Sequence, residues 1–176
     1  RILKNAVTVM LVTVPEAKVL ARLLSAQVEG LLGVVTVPEL SADGATAVRP
    51  PVQAHDIAFL QYTSGSTGNP KGVILTHANL LANLRAMGQA VQITSTDVFV
   101  SWLPLYHDMG LIGAWLGSLY YAYPLVLMSP LAFLARPARW LWAIHKHRGT
   151  LSAGPNFAYD LCTRRLEERD LEGLDL

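Results

Sequence analysis

Tyr62-Thr63-Ser64-Gly65-Ser66-Thr67-Gly68-Asn69-Pro70-Lys71-Gly72 is the stretch on which the reading of this chain turns. Thr63, Ser64, Ser66 and Thr67 put four hydroxyls within five residues. Gly65 and Gly68 carry no Cβ, so backbone N–H groups there can approach an anion and the chain can turn through positive φ. Pro70 stiffens the exit, and Lys71 adds a compact positive charge. These groups suit a polyphosphate: many donors, one cation, no bulky carbon in the way. Gly, Ser, Thr and Asn also make ordinary surface turns, but the density of hydroxyls beside a lysine weighs against that reading. A Walker loop needs Gly, four residues, then Gly-Lys-Ser/Thr opening a helix. Here Lys71 leads into Gly72, Val73, Ile74 and Leu75, so the loop is expected to join strand to strand.

Working outward, the pattern predicts an α/β fold with helices on the faces of its sheets. Upstream, Val7–Val14 is an apolar, β-branched run and reads as a strand. Pro15 suits the first position of a helix, Val19, Leu20, Leu23, Leu24 and Val28 share one helical face, and Gly30 is a stop. Gly33–Val37 reads as a second strand, and Pro38–His55 as a linker. Flanking the loop, Ile57–Tyr62 and Val73–Leu75 read as strands, and Thr76 as the cap of a helix through about Val91. Farther on, strands are expected at Val98–Leu103, Leu125–Met128 and Thr150–Ala153. Helices are expected to open after Pro104–Gly110, at Pro137 and at Phe157, the last running to about Arg169.

A second informative segment is Ser101-Trp102-Leu103-Pro104-Leu105-Tyr106-His107-Asp108-Met109-Gly110-Leu111-Ile112-Gly113. It stands at the end of an expected strand, where α/β sheets favour ligands. His107 could hydrogen-bond a carboxylate, and Asp108 could orient that imidazole or cap the following helix. A purely structural His-Asp pair at a helix start is the competing reading. A metal site is weaker still, because no second His or Cys stands nearby at ligand spacing. His145 and His147, two residues apart, would face different sides of a helix and read as surface residues.

The totals exclude several classes. The chain has 176 residues, 52% of them hydrophobic and 15% charged, enough for a packed core and too apolar for disorder. The net charge of +1, without basic runs, gives no footprint for nucleic acid. The single cysteine, Cys162, excludes an internal disulfide and reads as a small buried apolar residue, in keeping with a reducing, cytoplasmic setting. Met109–Ala135 holds no charged residue, and a membrane span needs about 20 apolar residues. Pro124, Pro130, Gly110, Gly113 and Gly117 interrupt that run, and Tyr120, Tyr121 and Tyr123 sit in its middle rather than at its ends. A buried helix, a turn and a short strand are expected instead of a span.

The hydroxyl-rich string resembles the nucleotide-phosphate signature of the adenylate-forming superfamily, which includes acyl-CoA synthetases, fatty-acyl-AMP ligases, luciferases and peptide-synthetase adenylation domains. The resemblance implies that Thr63, Ser64, Gly65, Ser66, Thr67 and Gly68 wrap the β- and γ-phosphates of ATP, and that Lys71 helps hold the leaving pyrophosphate. Pro104–Gly113 is similar to the fatty-acyl-AMP ligase form of the acid-binding motif. His107 then lies beside the acyl carboxylate, with Asp108 and Met109 in the substrate-binding stretch. The amino-group-binding role of an Asp in the peptide-synthetase branch is not carried over to Asp108, whose neighbours are those of the fatty-acid branch. Leu127-Met128-Ser129-Pro130, Phe133-Leu134, Arg136-Pro137 and Arg139-Trp140-Leu141 resemble the next stretch of these ligases. Pro155–Leu161 resembles their segment beside the acyl tunnel, which makes Asn156 and Phe157 substrate-side residues. The likeness runs from about Ile57 to Leu176.

The resemblance implies a partial AMP-binding domain, with an α/β layer at 1–37, a linker at 38–55 and a unit at 56–176 that carries both loops. The chain is expected to be part of the N-terminal domain of an enzyme that converts a fatty acid and ATP to acyl-adenylate and pyrophosphate, for transfer to an acyl carrier protein. The alternatives are an acyl-CoA synthetase, or a non-catalytic acyl- or nucleotide-binding module. Both ends read as cut. The adenine-binding motifs, the acid that holds Mg²⁺ and the mobile C-terminal domain with its catalytic lysine are expected outside the chain, so the 176 residues alone are expected to be inactive.

Overall fold

The structure, a computed structural model, describes residues 1–40, 48–63 and 70–176. The chain divides into two compact units, Arg1–Asn79 and Leu80–Leu176.

The first unit begins with helix α1 (Ile2–Asn5), strand β1 (Met10–Thr13), a 3₁₀ turn (Pro15–Ala17), helix α2 (Lys18–Ser25) and strand β2 (Gly33–Thr36). β1 and β2 pair in parallel from Met10↔Gly33 to Thr13↔Thr36, with α2 in the crossover. Pro15 takes the first position of the helical turn, as its fixed φ favours. After β2, Glu39 closes a turn by accepting from Lys18, from the Thr36 amide (2.8 Å) and from the Thr36 hydroxyl (2.9 Å). Those bonds, Lys18's first, hold its carboxyl down to about 2. α2 ends at Ser25, short of the expected Gly30, so Val28 falls outside it; of the expected face Val19, Leu20, Leu23 and Leu24 lie in the helix and are exposed, and only Ala21 is buried.

β3 (Ile57–Thr63) and β4 (Lys71–Thr76) form an antiparallel hairpin, so the segment between them joins strand to strand as its sequence predicts. Thr76 caps helix α3 (His77–Val91): its hydroxyl accepts from the Asn79 amide at 3.2 Å, and Asn79 Oδ1 accepts from the Thr76 amide at 3.1 Å. This reciprocal pair satisfies donors that a helix start otherwise leaves open.

In the second unit, β5 (Phe99–Ser101) and β6 (Leu125–Leu127) pair in parallel. Between them run a π-helical segment, Met109–Leu116, and helix α4 (Gly117–Tyr121). Helices α5 (Pro130–Ala135), α6 (Ala138–His147), α7 (Asn156–Arg165) and α8 (Glu168–Leu171) come next. The expected strand Thr150–Ala153 reduces to one bridge, Leu151 to Phe99. The cause is local: the Ser152 hydroxyl donates to the Val100 carbonyl at 2.7 Å and to that extent substitutes for a ladder bond. The expected final helix breaks at Leu166-Glu167, where Glu167 and Asp170 form a capping box and start α8 anew. α5 was not anticipated, although Ser129 before Pro130 is a helix-start signal; its hydroxyl accepts from the Leu131 amide at 3.2 Å.

The core of this unit is aromatic. Trp102 stacks on Phe133 with centroids 4.1 Å apart and meets Trp140 and Phe157 edge-on at 6.1 and 5.9 Å. Val100, Leu103, Ala158 and Cys162 complete the cluster. Burial pushes the Cys162 thiol up, so it packs as an apolar group. Glycines admit two tyrosines. A Cβ at Gly88 in α3 would run into the Tyr121 hydroxyl, and one at Gly117 would lie 2.6 Å from the Tyr123 hydroxyl. Among the described residues no helix is long and apolar enough to cross a membrane.

Asp97 anchors the entry to β5. It accepts from the Thr94 amide and the Thr150 hydroxyl, both at 2.7 Å, and Thr150 in turn accepts from the Val98 amide at 3.0 Å. The Thr94 amide, then the Thr150 hydroxyl, hold the Asp97 carboxyl below its usual value. A depressed carboxylate contributes stability above its unfolded value, about 3.9, and loses it as pH falls through the folded value. Asp97→Asn is therefore expected to lower the thermal midpoint at pH 7 and to leave it unchanged near pH 2, as read by circular dichroism at the two pH values. An equal drop at both would remove Asp97 as the titrating anchor.

Candidate functional site

On the phosphate side, the described residues are the two arms of the hairpin. Thr63 and Lys71 are register partners at the open end of the β3–β4 ladder, and both side chains are exposed. Ser64, Gly65, Ser66, Thr67 and Gly68 lie outside the described residues. Tyr62 and Gly72 are the next pair in register. A Cβ at 72 would lie 3.0 Å from the Tyr62 ring, so the glycine allows the ring to cross over the opposite strand. The Tyr62 hydroxyl then donates to Asn5 Oδ1 at 2.6 Å and ties the hairpin to α1. The aromatic and the glycine that bound the quoted string are thus its structural frame.

On the acid side, β5 delivers the chain through Trp102 and Leu103, both buried, to an exposed turn, Leu105–Asp108. The His107 amide donates to the Pro104 carbonyl at 3.2 Å, and the Leu111 amide to the His107 carbonyl at 2.8 Å. Gly110 makes this turn possible, because a Cβ there would collide with the Pro104 carbonyl. His107 Nδ1 lies 2.6 Å from Asp108 Oδ1, and the same oxygen accepts from the Met109 amide at 2.8 Å. Asp108 therefore fills both roles that its sequence position offered: it orients the imidazole and caps the helix. The Met109 amide is also 3.4 Å from His107 Nδ1, a weaker contact than its bond to Asp108. The His107 side chain, 62% exposed, is thus held against Asp108 on its Nδ1 side.

Asn156 and Phe157 open α7, whose start has no side-chain cap, and both are exposed. Phe157 reaches back to Trp102 at 5.9 Å, so the acid-side turn and the start of α7 share one aromatic support. Trp102 stands in the motif without a role that its sequence position alone assigns. The available signal was a large aromatic at a strand end, directly before the loop that carries the polar residues. Trp102 Nε1 is also buried without a hydrogen-bond partner among the described residues.

A family model for AMP-binding enzymes matches residues 2–176. The chain belongs to the AMP-binding enzyme family. Relatives include a medium-chain-fatty-acid–[acyl-carrier-protein] ligase of Teredinibacter turnerae, 45% identical over 87% of this chain and 24% of that protein. A long-chain-fatty-acid–AMP ligase of Mycobacterium marinum is 46% identical over 72% of this chain and 22% of that protein. Among solved structures, a fatty acyl-adenylate ligase from L. pneumophila in complex with acyl adenylate and pyrophosphate superposes with a TM-score of 0.87. It is 37% identical over 99% of this chain and 30% of that one. The chain thus spans about a quarter of the length of the curated relatives it matches.

AMP-binding enzymes act on a charged nucleotide, but among the described residues no three His, Cys, Asp or Glu side chains gather into a metal site.

The aromatic support gives a contrast that thermal unfolding can test. Trp140 Nε1 donates to Ser152 Oγ at 2.8 Å, whereas Trp102 Nε1 donates to nothing described. Both rings are buried, so Phe costs each some packing. Only Trp140→Phe also breaks a hydrogen bond, worth about 1 kcal/mol net. Trp140→Phe is expected to be the more destabilising by about that amount. A Trp102→Phe variant equal to it or worse would overturn the contrast.

Proposed function

We propose that the full-length protein activates a fatty acid with ATP and passes the acyl group to an acyl carrier protein. The observation that carries this reading is the acid-side turn. An exposed His107, fixed through Nδ1 by Asp108, stands at the end of a parallel strand. The wording of this segment and its likeness to fatty-acid ligases support a fatty carboxylate as its ligand.

The chemistry is a displacement at phosphorus. A carboxylate oxygen of the fatty acid bonds to the α-phosphorus of ATP, the bond from that phosphorus to the bridging α–β oxygen breaks, and pyrophosphate leaves with the electron pair. The protein's contribution is positioning and charge stabilisation. His107, held against Asp108 on its Nδ1 side, presents its imidazole to the fatty carboxylate. Asn156 and Phe157, at the start of α7, take the acyl chain. For the nucleotide, the hydroxyls of Thr63, Ser64, Ser66 and Thr67 and the backbone at Gly65 and Gly68 bind the β- and γ-phosphates. Lys71, at the head of β4, neutralises charge that builds on the leaving pyrophosphate.

Separate assignments predict separable defects. In the full-length protein Lys71→Ala is expected to slow acid-dependent ATP–pyrophosphate exchange by the equivalent of about 2–4 kcal/mol. His107→Ala is expected to weaken fatty-acid binding more than ATP binding. Exchange within threefold of the parent for Lys71→Ala, or an ATP defect with normal acid binding for His107→Ala, would overturn the corresponding assignment.

The acceptor is tested with ATP, Mg²⁺ and dodecanoate, offering either free CoA or a phosphopantetheinylated carrier protein. Acyl transfer to the carrier protein is expected. Efficient acyl-CoA formation would place the protein with the acyl-CoA synthetases and leave the phosphate-side assignment intact.

A further inference from the structure

The helix that begins at the acid-side turn is not of α spacing throughout. The Leu111 amide bonds to the His107 carbonyl, four residues back. By Gly117 the spacing has widened: its amide donates to the Ile112 carbonyl, five residues back, and shares the Ala114 carbonyl, but does not take that of Gly113. The Gly113 carbonyl instead faces the Tyr123 hydroxyl, which donates to it at 3.4 Å. That hydroxyl occupies the space beside Gly117, where a Cβ would lie 2.6 Å from it. Tyr123 is only 4% exposed, and its ring stacks on Phe99 of β5 with centroids 6.2 Å apart and planes 18° from parallel. The Phe99 amide bonds to the Pro124 carbonyl next door at 3.0 Å, which fixes the base of the ring to the same strand.

We infer that Tyr123 is a positioning residue for the acid side, its hydroxyl holding Met109–Leu116 in the wide helical register that sets how His107, Asp108 and Met109 are presented. If the Gly113 carbonyl were free, the Gly117 amide could take it and restore α spacing. Removing one residue from the turn rotates everything upstream by about 100° relative to everything downstream. The downstream part is clamped by Tyr121 on the Leu84 carbonyl and by the packing of Tyr123 itself, so the upstream end, which Asp108 caps, must move. Widened turns of this kind recur at functional sites. Burial pushes the Tyr123 hydroxyl up to about 12, so it stays a donor throughout the assay range. The inference rests on the proposed acid-binding role of His107.

Two variants reach the same contact from opposite sides. Tyr123→Phe removes the hydroxyl and keeps the ring stack; Gly117→Ala fills the hydroxyl's place. In the full-length protein each is expected to raise KM for dodecanoate in ATP–pyrophosphate exchange by about three- to tenfold, the size of one neutral hydrogen bond. KM for ATP should stay within about twofold in both, a split that general loss of structure would not give. Hydrogen exchange of the segment 109–118 should speed up in both. If Gly117→Ala does not fold, Tyr123→Phe carries the test alone. An unchanged acid KM in Tyr123→Phe beside a raised one in His107→Ala overturns the inference and leaves the function standing. Equal rises in both KM values, or unchanged exchange of the segment, also overturn it. A parent protein without acid-dependent exchange removes both the function and the inference.

Discussion

The stacking of Trp102 on Phe133 is the contact on which the second unit depends. β5 is only three residues long and could not hold a loop in place by its ladder alone. Trp102, directly after it in the chain, lies flat on Phe133 of α5 and meets Trp140 of α6 and Phe157 of α7 edge-on. One indole thus joins three helices to the strand end. Aromatic pairs in these geometries contribute about 0.5–1.5 kcal/mol each beyond their buried area. They also fix direction, because a ring stacked on one neighbour and perpendicular to two others has few orientations open to it. The exposed turn that carries His107 begins just after Leu103 leaves this cluster, so its orientation is inherited from a rigid base.

The fold was legible where local chemistry decides it. The antiparallel hairpin around the hydroxyl-rich string came from strand-forming residues on both sides, and the Thr76 cap and Pro15 helix start came from single residues with one dominant preference. Where two local rules competed, the sequence was less direct. Ser152 is an ordinary strand residue, yet its hydroxyl takes the Val100 carbonyl and the strand stops at one bridge. Glu167 continues a helical pattern, yet with Asp170 it makes a better helix start. Periodicity placed Val19, Leu20, Leu23 and Leu24 in α2 but carried the helix on to Val28, past its end at Ser25. It could not say what covers Val19, Leu20, Leu23 and Leu24, and in this structure they are exposed.

The candidate site was legible in a different sense. His107 and Asp108 were visible as a pair because polar residues at a strand end have few structural duties. Tyr123 was not, since a tyrosine beside a proline in an apolar run reads as a turn. Its role depends on a glycine six residues earlier in the chain leaving space for an oxygen, and that pairing has no local signature. Trp102 was hidden for the opposite reason: a buried aromatic near a sheet is expected everywhere, so its position at the root of the acid-side turn carried no contrast.

Asp108 poses an electrostatic problem that the geometry resolves. A carboxylate one residue from the group meant to bind a carboxylate should repel it. Its Oδ1, however, is engaged by His107 Nδ1 at 2.6 Å and by the Met109 amide at 2.8 Å. With the ring protonated, His107 and Asp108 sum to zero charge, and the positive end of the helix that begins at Met109 adds its share at the same place. In the proposed role of His107, a carboxylate meets a neutralised pair rather than a lone negative charge. If Asp108 were replaced by a neutral cap, the helix would still start, but the ring would lose the charged partner 2.6 Å from its Nδ1. Asp108 thus serves the histidine and the helix start with the same oxygen.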